Sequence, residues 1–189
     1  NFILSLLGFV IILFVWDMAV RYTDAVIVMP SPWAVIEKFF VSFVYNIGKY
    51  TLWQHALFSL RRVLVGFSLA AIVGITIGIL IGRSMLAESI IRPIFEMFRP
   101  IPGIAWIPMA ILWFGIGDEA KYFIIFMGGL SHLVINTYAG AIRVDYELIG
   151  VAQMLGAKKW QVFLNVVLPS CVPYVFAGLQ VALSTCWMA

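Results

Sequence analysis

Long stretches without a charged residue constrain this chain more than any other feature of its sequence. Cutting the sequence at Asp, Glu, Lys and Arg leaves long uncharged runs at 1–16, 63–82, 100–117, 122–142 and 160–189. A helix needs about 20 residues to cross the roughly 30 Å hydrocarbon core of a bilayer, so each run is of spanning or nearly spanning length. The runs lack the alternation of polar and apolar residues typical of membrane barrel strands. We therefore predict an all-α, polytopic membrane protein with about five spans.

The composition agrees with this prediction and excludes an ordinary soluble domain. Hydrophobic residues make up 63% of the chain and charged residues 11%, whereas soluble domains average about 25% charged residues. The 12 Lys and Arg residues are scattered among 9 Asp and Glu residues, which disfavours nucleic-acid binding. Because the sequence begins with Asn1 and its last apolar run stops without a polar end, we expect a partial chain, 1–189, of a single transmembrane domain.

A short amphipathic helix is predicted at 31–46, between the first two spans. Ser31 followed by Pro32 is typical of an N-cap and the first position of a helix. Apolar residues then recur at spacings of three and four, with charged residues off the stripe. A helix of this kind is expected to lie on the membrane surface.

The second span carries small residues at every fourth position, on one face of the helix. Faces of this kind let two membrane helices approach closely. The pattern therefore predicts helix packing rather than chemistry. The residues are Gly66, Ala70, Gly74, Gly78 and Gly82.

The segment 92–108 is too rich in proline to form a straight helix. Irregular backbone at membrane depth is tolerated where it is buried in protein or lines a water-filled cavity. The segment is therefore either a packing kink or part of a translocation path. Polar residues of the fourth span likewise either join helices by hydrogen bonds or contact a solute in transit. The candidate path residues are Pro100, Pro102, Trp106, Ser131, His132 and Asn136.

The most informative segment is the charged interruption at 143–168. Asp145 is a suitable N-cap and Glu147 lies in the first turn of the helix that it would begin. Gly156 then predicts a turn, with a second short helix from Lys158. Such a segment suits a membrane-surface loop and equally a docking surface for a partner. The apolar stripe predicted on its first helix comprises Val144, Leu148, Val151, Ala152 and Leu155.

No set of nucleophile, base and acid is visible in a shared polar setting. His132 has neither a cysteine nor a carboxylate in its span, so no metal site is predicted. The sequence therefore predicts neither catalytic residues nor an enzyme.

The loop resembles a known motif. The stretch from Gly150 to Gly156, followed at the motif's spacing by Leu168 and Pro169, is similar to the EAA loop of ATP-binding-cassette importer permeases. Gly150 departs from that motif where it has glutamate, and Val151 where it has its first alanine. The strings at 59–67, 99–108 and 112–117 resemble the nitrate, sulfonate, taurine and bicarbonate branch of these permeases.

This resemblance implies a type I importer permease located in the cell (inner) membrane. It further implies cytoplasmic ATPase subunits, a second permease subunit in an expected homodimer, and an external or periplasmic solute-binding protein. The chain has no G-x-x-x-x-G-K-[ST] sequence, so ATP and Mg²⁺ are expected in the ATPase, and no cofactor in this chain. The resemblance assigns coupling to the ATPase to Asp145, Glu147, Gly150, Ala152, Gly156, Ala157, Leu168 and Pro169.

Within this branch nitrate, sulfonates such as taurine, bicarbonate and vitamin precursors are alternative solutes. A different class, a secondary carrier, would use 92–108 as its solute site, since discontinuous helices are common in such carriers. A membrane scaffold without transport would explain the small residues of the second span but leave the loop motif without a use.

Overall fold

The computed structural model describes residues 2–22 and 29–189. Residue 1, at the start of the first predicted span, lies outside the described residues. The chain divides into two compact units, residues 1–58 and 59–189. The regular elements in the described ranges are helical, which confirms the predicted all-α class.

Short connections join the helices. A 3₁₀ turn at Gly103–Trp106 precedes the helix that begins at Ile107, and a π-helical turn at Phe163–Val167 joins the helix that ends at Val162 to the one that begins at Leu168. The helices are α1 (Phe2–Tyr22), α2 (Pro32–Val44), α3 (Leu52–Arg83), α4 (Met85–Phe98), α5 (Ile107–Phe114), α6 (Asp118–Ile142), α7 (Tyr146–Met154), α8 (Lys159–Val162) and α9 (Leu168–Met188).

Within the described residues, four helical stretches are long and apolar enough to cross a membrane. They are α1, α3, α6 and the continuous helix Lys159–Met188, which joins α8 to α9. A further pair, Met85–Phe98 and Gly103–Phe114, reaches spanning length together but bends by 87° at its break. The expectation of about five spans is therefore met when the bent pair counts as one.

In the first unit, α2 starts where the sequence predicts. The Ser31 hydroxyl accepts a hydrogen bond from the Ala34 N–H at 3.3 Å, and Pro32 occupies the first helical position because its missing N–H is not needed there. The helix ends at Val44, with Tyr45 as its C-cap. Its aromatic side chains Trp33 and Phe40 are exposed.

In the second unit, the small residues of α3 pack directly against α6. A Cβ added at Gly74 would lie 2.7 Å from the Cβ of Leu133, and one at Gly78 would lie 2.6 Å from the Cβ of Thr137. Real Cβ atoms do not approach each other this closely, so glycine is required by the contact itself. Equivalent contacts recur along the two helices at Gly66 with Ile125, Ala70 with Gly129, and Gly82 with Ala141.

A second set of small residues joins α6 to α9. Added Cβ atoms would lie 2.6 Å from the Cys186 sulfur at Gly129 and 2.8 Å from the Tyr174 Cβ at Gly140. The buried Cys186 thiol donates a hydrogen bond to the carbonyl of Ile125 at 3.3 Å. Close contacts on both sides therefore hold α6 between α3 and α9.

The α3–α6 contact predicts an unusual response to a single methyl group. Gly74→Ala should lower stability by about 1–3 kcal/mol through overpacking, although alanine is the better helix former by up to about 1 kcal/mol. Thermal unfolding of the detergent-purified protein measures the effect. Gly8→Ala in α1 is the matched control, because no atom lies within 4 Å of the added Cβ. Equal losses in the two variants would contradict the packing argument.

Candidate functional site

The loop between α6 and α8 begins with a capped helix. Asp145 is the N-cap of α7, and its Oδ1 accepts a hydrogen bond from the Glu147 N–H at 2.8 Å. The Glu147 carboxylate lies in the first turn, where the helix dipole favours negative charge. The local sequence therefore accounts for where α7 starts.

Gly156 ends this helix in the left-handed conformation, with φ of 82°. The Gly156 N–H donates to the carbonyl of Gln153, and the Ala157 N–H to that of Ala152, both at 3.0 Å. This pair of hydrogen bonds is the Schellman motif, which satisfies carbonyls at a helix end. A side chain with Cβ is strained in this conformation, so the turn depends on glycine.

A hydrophobic cluster anchors the loop to the helices on either side of it. Ala152 and Ala157 pack against it from the two arms of the Gly156 turn. The loop, the end of α6 and the start of α9 therefore form one packed body. The buried members of the cluster are Ala141, Val144, Ile149, Val162, Val167 and Cys171.

The apolar stripe predicted on α7 is divided between two faces of the helix. Ala152 packs on the cluster, whereas Leu148, Val151 and Leu155 are exposed. The buried residue of this helix is Ile149, which the predicted stripe did not include. The single stripe was therefore wrong, because a helix this short is apolar on both sides and spacing does not identify the side that meets the body of the protein.

The exposed side of α7 forms an apolar surface that we call the loop face. Met154 and Leu155 are 91% and 83% exposed. The segment lies outside the helices of spanning length, and exposed apolar patches on such segments mark interaction sites. The loop face comprises Tyr146, Leu148, Val151, Met154 and Leu155.

The remaining motif residues, Gly150, Leu168 and Pro169, lie outside the Gly156 turn. A Cβ added at Gly150 would meet open space. The Leu168 N–H donates to the carbonyl of Phe163 across the π-helical turn, and Pro169 follows at the start of α9. Because proline has no N–H to donate, a rearranged turn just before it suits the helix start.

The stretch 99–106 between α4 and α5, which we call the broken segment, lies against the middle of α6. The chain leaves α4 at Phe98, passes Pro100 and Pro102, which are exposed, and resumes in the 3₁₀ turn. A Cβ added at Gly103 would lie 3.1 Å from the Cα of Gly128 in α6. The Trp106 ring lies edge-on to that of Phe123, with centroids 6.2 Å apart.

Two of the polar residues of α6, His132 and Asn136, form hydrogen bonds within their own helix. The Asn136 amide donates to the carbonyl of His132 at 2.8 Å, and His132 Nδ1 lies 3.3 Å from the carbonyl oxygen of Gly128. Asn136 also packs on α9, since a Cβ added at Gly178 would lie 3.0 Å from the Cβ of Asn136. Ser131 and His132 are half-buried. The structure therefore places His132 beside Gly128, the residue that contacts the broken segment.

A group of charged residues on α4 was missed by the sequence analysis. Arg92 donates hydrogen bonds to Glu88 and Glu96 on its own helix and to Tyr138 on α6. We call these four residues the Arg92 cluster. The four-residue spacing of the three charged residues is visible in the sequence, but their partner on α6 is not.

Another arginine joins α6 to α9. Arg143, the C-cap of α6, donates a hydrogen bond to the hydroxyl of Tyr174 at 3.3 Å, and its guanidinium lies 5.6 Å from the centre of that ring. The hydrogen bond raises the pKa of Arg143 above its ordinary value. The guanidinium, which is charged at physiological pH in any case, lies at the start of the loop.

Comparison with known proteins gives a consistent family match. The family model described as the binding-protein-dependent transport system inner membrane component matches residues 74–189. A putative ABC transporter permease protein of Methanocaldococcus jannaschii is 35% identical over 174 residues, which are 92% of this chain and 65% of that protein.

Two further relatives carry names that include a solute. The taurine transport system permease protein of Escherichia coli is 33% identical over 91% of this chain and 63% of its own length. The nitrate import permease protein of a Synechocystis strain is 41% identical over 69% of this chain and 48% of its own length. The chain therefore spans between about half and two thirds of the length of these three relatives.

The two glycines of α7 and its turn should respond oppositely to alanine. Gly156→Ala should cost about 1–2 kcal/mol, because its φ is in the left-handed region. Gly150→Ala should be neutral or stabilise by up to about 1 kcal/mol, because the added methyl meets open space in a helix. Thermal unfolding and limited proteolysis of the loop measure both. Equal sensitivity of the two variants to proteolysis would contradict the assignment of the turn to Gly156.

Proposed function

Because the chain belongs to the family of binding-protein-dependent transport system inner membrane components, we propose that it is the membrane-spanning permease subunit of an ATP-driven importer. Its solute is a small anion, delivered by an external or periplasmic binding protein. ATP, with Mg²⁺, binds to separate cytoplasmic ATPase subunits. The chain contributes the translocation path and the coupling loop 143–168.

The observation that carries this proposal is the construction of the loop. One side of α7 is packed on the hydrophobic cluster, and the other side is an exposed apolar surface, the loop face. A partner groove that receives an amphipathic helix gains affinity from such a surface. The motif residues Ala152, Gly156 and Ala157 form the turn that holds α7 in this orientation.

The same construction supports a mechanism of coupling. When the ATPase subunits close, the groove that holds α7 moves. Because the hydrophobic cluster joins the loop to α6 and α9, a displacement of α7 is passed to both helices rather than absorbed by a flexible connection. Asp145 and Glu147 stabilise the start of α7 and present negative charge beside the groove.

The class of solute is argued from the relatives and from the path. Relatives of this chain are named for taurine and nitrate transport, and both solutes carry an anionic group. The run 122–142 in α6 has no charged residue, and neutral dipoles suit a path that releases its solute quickly. The proposed path residues are Pro100, Pro102 and Trp106 of the broken segment with Ser131, His132 and Asn136 of α6.

The remaining assignments follow the same proposal. The importer contains a second permease subunit, which we propose to be another copy of this chain. The helix at 31–46 lies on the membrane surface, with its exposed aromatic side chains in the headgroup region.

The test is copurification of the ATPase with the tagged full-length permease. Met154→Asp places a charge at the most exposed residue of the loop face, and Gly156→Glu strains the turn that orients it. Each should reduce the copurified ATPase about tenfold or more, which corresponds to a loss of about 1.4 kcal/mol of binding free energy.

The matched control is Ile116→Asp. Ile116 is 96% exposed, but it precedes the start of α6, whereas the loop follows the end of that helix. This variant should retain the ATPase. If the wild-type permease binds no ATPase and uptake instead follows an ion gradient, the importer proposal is wrong and a secondary carrier takes its place.

A further inference from the structure

Helix α4 turns its charged residues towards α6 and an apolar set outward. None of its residues is buried, and its exposed residues include an apolar set: Leu86, Ile90, Ile94 and Met97. Its charged residues Glu88 and Arg92 instead contact α6. The hydrogen bonds from α4 to α6 therefore come from Arg92 and Glu88, on the half-buried face that also carries Ile91 and Phe95.

The Arg92 cluster provides this attachment. Arg92 Nη1 donates to Glu88 Oε1 at 2.8 Å and to the Tyr138 hydroxyl at 3.1 Å, and its Nε donates to Glu96 Oε1 at 2.9 Å. The Tyr138 hydroxyl donates in turn to Glu88 Oε1 at 3.2 Å. The guanidinium also lies 5.4 Å from the centre of the Tyr138 ring. Ionisable residues in membrane helices are costly and usually functional.

Beside the cluster, the two helices are separated by space. A cavity of about 250 Å³ lies between α4 and α6, with Ile81 of α3 in its wall, whereas the glycines of α3 leave no room for a methyl group against the same α6. The α4–α6 contact is therefore adjustable and the α3–α6 contact is not. Besides Arg92, Glu96 and Tyr138, the cavity is lined by Ile81, Phe95, Arg99, Val134, Ile135 and Ala139.

The Arg92 cluster also lies between the coupling loop and the broken segment. Tyr138 is about one turn before Ile142, the last residue of α6, and Ala141 between them belongs to the hydrophobic cluster of the loop. On the other side, α4 ends at Phe98, immediately before the break in the helix. The contact between Tyr138 and α4 is therefore a second connection between the end of α6 and the broken segment, besides the direct packing of Gly103 and Trp106 on α6.

We propose that Arg92 and Tyr138 are positioning residues that couple movement of the loop to movement of the broken segment. The inference rests on the proposed importer function. In the state seen here the contact holds α4 on α6. During transport it opens and re-forms, so that α4 shifts relative to the rigid body of α3, α6 and α9.

The chemistry of the cluster suits repeated opening. Glu88 and Glu96 lie on the same helix as Arg92 and remain paired with it when α4 moves. Only the neutral phenol of Tyr138 leaves the group. Separation of the two helices therefore leaves no charge unpaired. An unpaired charge is what makes the breaking of a buried ion pair costly.

The experiment uses the full-length permease with its ATPase and binding protein in proteoliposomes. Tyr138→Phe removes the hydroxyl that joins α6 to Arg92 and Glu88 but keeps the ring. The number of solute molecules transported per ATP hydrolysed should fall by about fivefold or more, the lower end of typical coupling effects. ATP hydrolysis itself should persist, because the loop is unchanged.

A second arginine and tyrosine pair supplies the matched control. Tyr174→Phe removes the hydrogen bond from Arg143, which joins two helices that we expect to move together. This variant should keep the wild-type ratio of transport to hydrolysis. Arg92→Lys keeps the charge but not the arrangement of donors that reaches three partners, and should lower the ratio in the same direction as Tyr138→Phe.

Distances between spin labels provide an independent readout. Met85→Cys in α4 and Ile142→Cys at the end of α6 are suitable sites, because Met85 is 89% exposed and Ile142 46% exposed, whereas Cys171 and Cys186 are buried. Without nucleotide, Tyr138→Phe should broaden the distance distribution, and Tyr174→Phe should not.

The possible outcomes distinguish a failure of this inference from a failure of the importer proposal. If Tyr138→Phe changes neither the transport ratio nor the distance distribution, Arg92 and Tyr138 have no positioning role, and the importer proposal stands. If the wild-type assembly transports no solute in response to ATP, the importer proposal fails and this inference fails with it.

Discussion

The close contact between α3 and α6 is the constraint on which the rest of the second unit depends. In lipid there is no hydrophobic preference for one helix over another, so association relies on close packing. The glycines of α3 provide it, because added Cβ atoms would lie within 2.5–2.7 Å of Ile125, Leu133, Thr137 and Ala141 in α6. With α3 on one side and α9 on the other, α6 has little freedom to rotate, and every functional element described here is placed relative to it.

The contacts that α6 makes with its different neighbours differ in kind, and they therefore differ in how readily they allow movement. Towards α3 and α9 they are close-packed contacts of small residues, which resist sliding. At its end α6 joins the loop through a buried apolar cluster. Towards α4 it has hydrogen bonds beside a cavity. This packing is what the proposed coupling requires: α6 is close-packed towards α3, α9 and the loop, and is held to α4, one of the two helices that flank the break, by hydrogen bonds beside a cavity.

The loop illustrates how a short helix serves two surfaces. In α7, Ile149 and Ala152 meet the body of the protein, while Met154 and Leu155 remain exposed. The cap at Asp145 and the turn at Gly156 set its length and the direction in which the chain leaves it. Since both ends are determined by local hydrogen bonds, the orientation of the exposed face depends on how the inner face packs. The exposed surface of α7 and its packing surface are therefore set together.

The sequence by itself determined the features that act over a few residues. The apolar runs specify the spans, the prolines at 100 and 102 prevent a continuous helix, and Asp145 and Gly156 delimit α7, because hydrogen bonds within one or two turns control these choices. Only the tertiary structure decided which side of α7 is buried, since Leu148 and Ile149 are both apolar and their environments come from distant segments. The same holds for Arg92 and Tyr138, which are 46 positions apart. Their contact depends on how α4 is placed beside α6, and periodicity within either helix carries no information about that approach.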